Sequence, residues 1–245
     1  MTESRIERYR RQMMLPEIGI EGQEKISKGK ILVIGAGGLG SPALYYLAAA
    51  GVGTIGITDS DSVDLSNLNR QILHTTPGIG RLKAESAAEK LSLLNPEIKT
   101  EVYPLRLTEE NGEAIISCYD FIIDASDNSH TRYLINDLCA KAGKPFSHGA
   151  INGMKGYTFT HVPGSPCYRC LFGIDTDLHD IPENSPAGVL GAITGIIGSI
   201  QAAEAIKYLT GSGTLLTGRL LIIDAFTMET SVLKFPQINN CMCHE

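Results

Sequence analysis

A chain of 245 residues with 43% hydrophobic content suits one large or two small domains and can bury a core, which excludes a disordered or low-complexity protein. The formal net charge of −6 and a pI near 5.5 argue against nonspecific binding to nucleic acid or to an anionic membrane, and favour small molecules or protein as ligands.

In chain order, Met1 to Arg11 is charged and lacks the apolar centre of a signal peptide, so secretion by that route is not expected. The six cysteines then belong in a reducing compartment, with the cytoplasm as the expected location and paired cysteines reading as metal ligands. Glu3 to Lys30 is helical in propensity, with Pro16, Gly19 and Gly22 breaking it into two pieces. Its charged Arg8-Tyr9-Arg10-Arg11-Gln12 reads first as a solvated helix face, with a phosphate-reaching arm as the alternative.

Ile31 to Ile34 is a short β-branched apolar run followed at once by Gly35-Ala36-Gly37-Gly38-Leu39-Gly40. Ser41 then offers a hydroxyl cap and Pro42 a first-turn residue for the helix running on through Ala43 to Ala50. In such a turn one glycine permits the bend, one lets amides approach phosphate and one lets helix pack on strand, while phosphate rests on the helix N-terminus. A second apolar run, Thr54 to Thr58, ends in Asp59, placed where an acid commonly holds a ribose hydroxyl. This much signals a nucleotide and no more. The polar cluster Asp59 to Gln71, with Asp61, Asn67 and Arg70, is more particular, because hydride transfer has no need of it.

Gly80 opens a helix to about Leu94, with Ala84, Ala87, Ala88, Leu91 and Leu94 spaced for one buried face. Lys83 in its first turn reads as a solvated lysine, the alternative being neutralisation of phosphate. Lys99 to Tyr103 and Tyr119 to Ala125 are two further strands. Asp127 lies just past the second, as a turn or cap residue for the helix that follows or as a magnesium ligand. After the helix Thr131 to Ala142, Pro145 to Ala150 and Gly156 to His161 read as strands, the second alternating as in a half-exposed antiparallel pair.

Cys167-Tyr168-Arg169-Cys170 is a C-x-x-C knuckle, and the tail supplies Cys241-Met242-Cys243-His244. Cys167, Cys170, Cys241 and Cys243 can close a structural zinc site, with His244 able to replace one of them; an empty thiol cluster or a redox pair are the alternatives. Cys118 and Cys139 sit among apolar residues and read as core. Leu171 to Asn184 is a long polar loop, and Ala187 to Leu209 a buried helix too short and glycine-rich in its apolar part to span a membrane. Arg219 to Asp224 and Ser231 to Phe235 complete the strands. The expected fold is α/β, a doubly wound Rossmann-like nucleotide-binding half continuing into a mixed, antiparallel second half within one compact domain.

Together these residues resemble the ThiF/MoeB/HesA adenylyltransferases, bacterial relatives of ubiquitin-activating enzymes, over almost the whole chain. The resemblance rests on Arg8-Tyr9-x-Arg11-Gln12, Gly35-x-Gly37-Gly38-x-Gly40, Asp59-x-Asp61, Ser66-Asn67-Leu68-x-Arg70-Gln71 and Pro166-Cys167-Tyr168-Arg169-Cys170. It implies a homodimeric enzyme that uses MgATP to adenylate the C-terminal glycine of a small ubiquitin-like sulfur carrier ending in Gly-Gly, in thiamine, molybdopterin or related biosynthesis. It implies a helical arm over residues 1–29, a nucleotide-binding half over 30–150 and a carrier-binding and zinc half over 151–245. By similarity Gly38 contacts phosphate within the turn of Gly35, Gly37 and Gly40, Asp59 the ribose, and Asn67, Arg70 and Lys83 the triphosphate, with Asp61 beside them. Asp127 binds magnesium, and Arg11 reaches the ATP of the neighbouring subunit, which replaces the solvated reading of that arm. The cysteine pairs match zinc ligands, and the polar loop matches the crossover loop over the carrier's tail.

Two departures matter. Thiamine and molybdopterin members carry a cysteine three residues before the Ala-Gly-Val that opens the helix, where this chain has Asn184, so the enzyme is expected to stop at the acyl-adenylate and leave sulfur to a separate persulfide donor. The C-x-C tail is tighter than usual zinc spacing. A noncatalytic carrier-binding scaffold and a nicotinamide-dependent oxidoreductase stand as alternatives.

Overall fold

The computed structural model describes residues 2–173 and 188–241. Its strands are β1 (Lys30–Ile34), β2 (Thr54–Thr58), β3 (Lys99–Tyr103), β4 (Phe121–Asp124), β5 (Phe146–Asn152), β6 (Lys155–His161), β7 (Arg219–Asp224) and β8 (Glu229–Lys234). Its helices are α1 (Glu3–Met13), α2 (Gly19–Lys28), α3 (Gly40–Ala50), α4 (Lys83–Leu94), α5 (Glu109–Ile116), α6 (Ser129–Lys141), α7 (Tyr168–Phe172) and α8 (Gly191–Thr210).

The apolar runs become one eight-stranded sheet in the order β3-β2-β1-β4-β5-β6-β7-β8. Strands β1 to β5 are parallel, and β6, β7 and β8 continue antiparallel, which gives the expected regular first half and mixed second half. Strand β1 is buried on both faces: Ile31 and Val33 join one core layer with α3, α4 and α8, while Leu32 and Ile34 join another with α5 and α6. That double burial is why the run reads as continuous hydrophobicity instead of alternation. Strand β8 closes the order as a wholly exposed edge.

Strand β1 pairs with both β2 and β4, so the winding reverses there. Ile34 is in register with Thr58 on one side and with Asp124 on the other. The segments leaving these three strands therefore meet at the carboxyl edge, where open α/β sheets form their crevice.

Several sequence expectations are corrected. Gly22 does not break the N-terminal segment: α2 runs through it, and the break lies between Met13 and Gly19. Helix α5 was not anticipated. Cys118 is exposed, not core, whereas Cys139 is buried as expected. Leu171 and Phe172 end α7 instead of opening a loop, and residues 174–184 of that loop, Asn184 included, lie outside the described residues. Among the described residues no helix is long and apolar enough to cross a membrane.

Candidate nucleotide site and cysteine cluster

The glycine turn is built by close approach. Gly35 has φ +99°, and a Cβ on it would lie 2.6 Å from the Ala125 carbonyl; one on Gly40 would lie 1.9 Å from the Gly35 carbonyl. Neither position tolerates a side chain, so the bend and the entry into α3 both require glycine. Among the described residues the amides of Gly37 and Gly38 make no backbone hydrogen bond, and no side chain caps α3. The expected Ser41 cap is absent, because the helix begins two residues earlier, with Leu39 at the cap position, and Ser41 Oγ is buried without a hydrogen-bond partner. The uncapped amides are what an anion needs. Helix α8 covers this turn with small residues: Cβ atoms on Gly191 and Gly198 would lie 2.4 and 2.2 Å from the carbonyls of Asn69 and Leu39.

Asp59, at the carboxyl end of β2, accepts from the Ala36 amide at 2.8 Å and from the Asp61 amide at 2.9 Å. Burial pushes its carboxyl above the usual carboxylate range, against the pull of those amides. A carboxylate has lone pairs beyond two such bonds, so Asp59 retains capacity for a hydroxyl donor. The turn is held from its other side by His74, a residue the sequence reading missed. Its Nε2–H donates to the Ala36 carbonyl at 2.9 Å, and its Nδ1 accepts from Ser86 Oγ at 3.0 Å. Burial keeps this imidazole below the ordinary histidine range, in keeping with the neutral tautomer that those bonds demand.

Lys83 overturns its solvated reading. It is the first residue of α4, only 6% exposed, with Nζ 2.8 Å from Asp61 Oδ2. Asn67 Oδ1 accepts from the Asp64 amide at 3.2 Å and so closes the single turn Leu65–Asn67. Arg70 is half-buried, and its guanidinium donates to the Ser66 carbonyl at 3.0 Å and to Asn69 Oδ1 at 3.3 Å. Asp127 is exposed just beyond β4; the cap of α6 is Asn128, whose Oδ1 accepts from the Thr131 amide at 2.9 Å, so the capping reading of Asp127 falls.

Arg11 is not with them. Helix α1 is fastened at the far end of α3: Gln12 donates to the Ala50 carbonyl at 3.3 Å, and buried Tyr9 bonds Asn95 and Glu97 at 2.8 and 3.3 Å. Helix α3 spans Gly40–Ala50, about 15 Å of rise, so the glycine turn and α1 sit at opposite ends of it. Exposed Arg11 instead lines a cavity of about 350 Å³ with Arg8, Tyr46, Ser199, Ala203 and Ile206.

Three of the four cysteines expected to ligate zinc come together. Cys167, Cys170 and Cys241 are buried with their Sγ atoms within 4.8 Å of one another, Cys167 being 3.8 Å from Cys170 and 3.4 Å from Cys241. Thiolates at about 2.3 Å around tetrahedral zinc stand about 3.8 Å apart, whereas a disulfide needs about 2.05 Å, so this donor set fits zinc. Helix α6 holds the knuckle: Asn136 Oδ1 accepts from the Tyr168 amide at 2.9 Å, and Asp137 takes two bonds of 2.7 Å from Arg169. Cys243 and His244 lie outside the described residues.

Comparison with known proteins places this geometry. The sequence pattern of the ThiF family matches residues 9–244. The chain is 45% identical over 248 residues to the sulfur carrier protein adenylyltransferase of Thermus thermophilus, covering 99% of this chain and 91% of that one. It is 45% identical over 241 residues to the adenylyltransferase and sulfurtransferase MOCS3-1 of Zea mays, covering 96% of this chain and 52% of that one, so it spans about half of that relative. A crystal structure of E. coli MccB with ATP superposes with a TM-score of 0.80 at 20% identity, over 91% of this chain and 68% of that one, a likeness of fold.

Proposed function

This chain belongs to the ThiF family, and we propose that it is an adenylyltransferase that activates the C-terminal glycine of a ubiquitin-like sulfur carrier with MgATP. The observation that carries the reading is the convergence of the uncapped glycine turn, Asp59 and buried Lys83, paired with exposed Asp61, at the reversal point of the sheet. A nicotinamide oxidoreductase has use for the first two and none for the third or for the cysteine cluster.

In this reading Gly35, Gly37, Gly38 and Gly40 form the phosphate cradle, Asp59 accepts from the ribose, and Asp61 holds Lys83 toward the triphosphate beside Asn67 and Arg70. A carboxylate oxygen of the carrier's terminal glycine forms a bond to the α-phosphorus. The bond from that phosphorus to its bridging oxygen breaks, and pyrophosphate leaves with the electron pair. No protein nucleophile is needed, so the chain's task is to align two anions and neutralise their charge. A magnesium ion beside Asp127 would supply further neutralisation on the phosphates, for which an exposed carboxylate at a strand's carboxyl end is suited. Zinc held by Cys167, Cys170, Cys241 and Cys243 would tie the C-terminal segment to the knuckle.

The position of Arg11 supports a homodimer. Its helix is anchored at the end of α3 away from the turn, so Arg11 serves the site of a second copy and each site is completed by its partner. Residues 30–150 then hold the nucleotide and residues 151–245 the carrier and zinc. Sulfur comes from a separate persulfide donor, and buried reduced thiols suit a cytoplasmic setting. The test is mass spectrometry of a Gly-Gly-terminated carrier incubated with enzyme and MgATP. A carrier bearing AMP on its terminal glycine is expected, and ATP consumed with the carrier unmodified would overturn the assignment. A noncatalytic scaffold would yield neither product.

A further inference from the structure

Beneath the carboxyl edge lies a buried polar pair for which the proposed chemistry has no direct use. Asp124 ends β4, and His148, in register with it on β5, places Nδ1 2.7 Å from Asp124 Oδ2. The two are 1% and 0% exposed. Rings of Tyr157, Phe159, Tyr168 and Phe172 surround the imidazole with centroids 4.8 to 6.4 Å away, so it cannot move toward solvent. The other oxygen of Asp124 accepts from the amide and hydroxyl of Ser126 at 3.0 and 2.6 Å. Gln201 of α8 donates to the carbonyls of Asp124 and Ser147 at 2.8 and 3.0 Å, tying β4 to β5 at the same level, and Arg132 donates to the Ser126 carbonyl at 3.4 Å.

Every one of these bonds ends on the short segment from Asp124 to Ser126 or on its neighbour in β5. The next residue is Asp127, and the carbonyl of Ala125 occupies the space that a side chain on Gly35 would need. A buried ionisable pair is a costly way to hold a turn that apolar packing could also hold, so its directionality is what the site gains.

We propose that the Asp124–His148 pair is a positioning device: it fixes the turn after β4 so that Asp127 faces the metal and phosphates while Ala125 seats the glycine turn. The proposal rests on the reading of Asp127 as the carboxylate that faces magnesium. His148 does not touch the reacting atoms; it acts through Asp124 and Ser126. Outer partners that orient metal-binding groups are worth about 10- to 100-fold in metal affinity, and a shift transmitted through one turn belongs at the low end.

The test measures binding of a non-hydrolysable ATP analogue by calorimetry across a magnesium titration, alongside thermal unfolding. His148→Phe keeps the ring in its aromatic surroundings and removes the donor; the magnesium concentration for half-maximal binding should rise about tenfold. His148→Asn, whose carboxamide can still donate to Asp124, should restore most of the wild-type value. A wild-type magnesium dependence in His148→Phe overturns the proposal. If that variant does not fold, Ser126→Ala removes only one hydroxyl contact and should raise the same concentration by less than the about tenfold of a lost outer partner, because the Ser126 amide still donates to Asp124; no change there overturns the proposal equally. Because the readout is nucleotide binding, it is separate from adenylation, whose failure would show as an unmodified carrier with wild-type enzyme.

Discussion

Lys83→Met separates the electrostatic work of the site from its role in the fold. Met has nearly the length of the lysine stem and no charge, so it fills the buried path at the start of α4. The ion pair lost is that with Asp61 at 2.8 Å, but the Asp61 side chain is 66% exposed, so solvent screens it and the pair is worth at most about 1 kcal/mol. For a chain of this size that is a fall in Tm of about 2–4 °C. In the proposed catalysis the same ammonium would face charge developing on the phosphates, where loss of one preorganised group costs about 10²- to 10³-fold in kcat, or about 3–4 kcal/mol of barrier. The assay is carrier-dependent pyrophosphate release, with calorimetric Tm on the same preparation. A Tm loss well above 4 °C would make Lys83 a structural residue, and a rate within threefold of wild type would remove it from the chemistry.

Arg11→Ala and Arg70→Ala should each slow adenylation severely without unfolding the chain, yet mixing the two should restore part of the activity, because in the proposed homodimer a mixed pair would hold one site with both arginines; no recovery after subunit exchange would refute the shared site. His74 is held neutral by burial, so the unfolded chain binds its proton more readily. Its contribution to stability is complete above about pH 6.5 and is lost as pH falls below that toward the lower folded value. His74→Gln should therefore lose less Tm than wild type between pH 7.5 and pH 5, and equal losses would contradict the sign. About one zinc per chain should be found by metal analysis, lost in Cys167→Ser; a metal-free wild-type preparation would contradict the site.

What was legible in the sequence is what is local. The strand, glycine turn and helix from Lys30 to Ala50 follow one another along the chain, and Gly40 is required by the Gly35 carbonyl within the turn itself, although the carbonyl that requires Gly35 belongs to distant Ala125. The Ser41 cap fails because the glycine turn enters its helix two residues earlier than a Ser41 cap would. Lys83 looked solvated because its partner, Asp61, lies 22 residues away across a turn, and His74 gave no signal because its partners Ala36 and Ser86 come together only in the fold. Helix α5 has only eight residues and a weak apolar face, although Thr108 and Asn111 at its start form a capping box that could have announced it. The cysteines fared better, since metal-ligand spacing is a local signal even when the pairs are distant. Cys118 failed because it follows the last turn of α5, where apolar neighbours do not ensure burial.

The most direct measurement is ATP–pyrophosphate exchange by the purified protein with and without a Gly-Gly-terminated sulfur carrier. Exchange that requires both the carrier and Mg²⁺ is the predicted result. Absence of exchange with carriers of several pathways, while ATP still binds, would contradict adenylation and leave a carrier-binding scaffold.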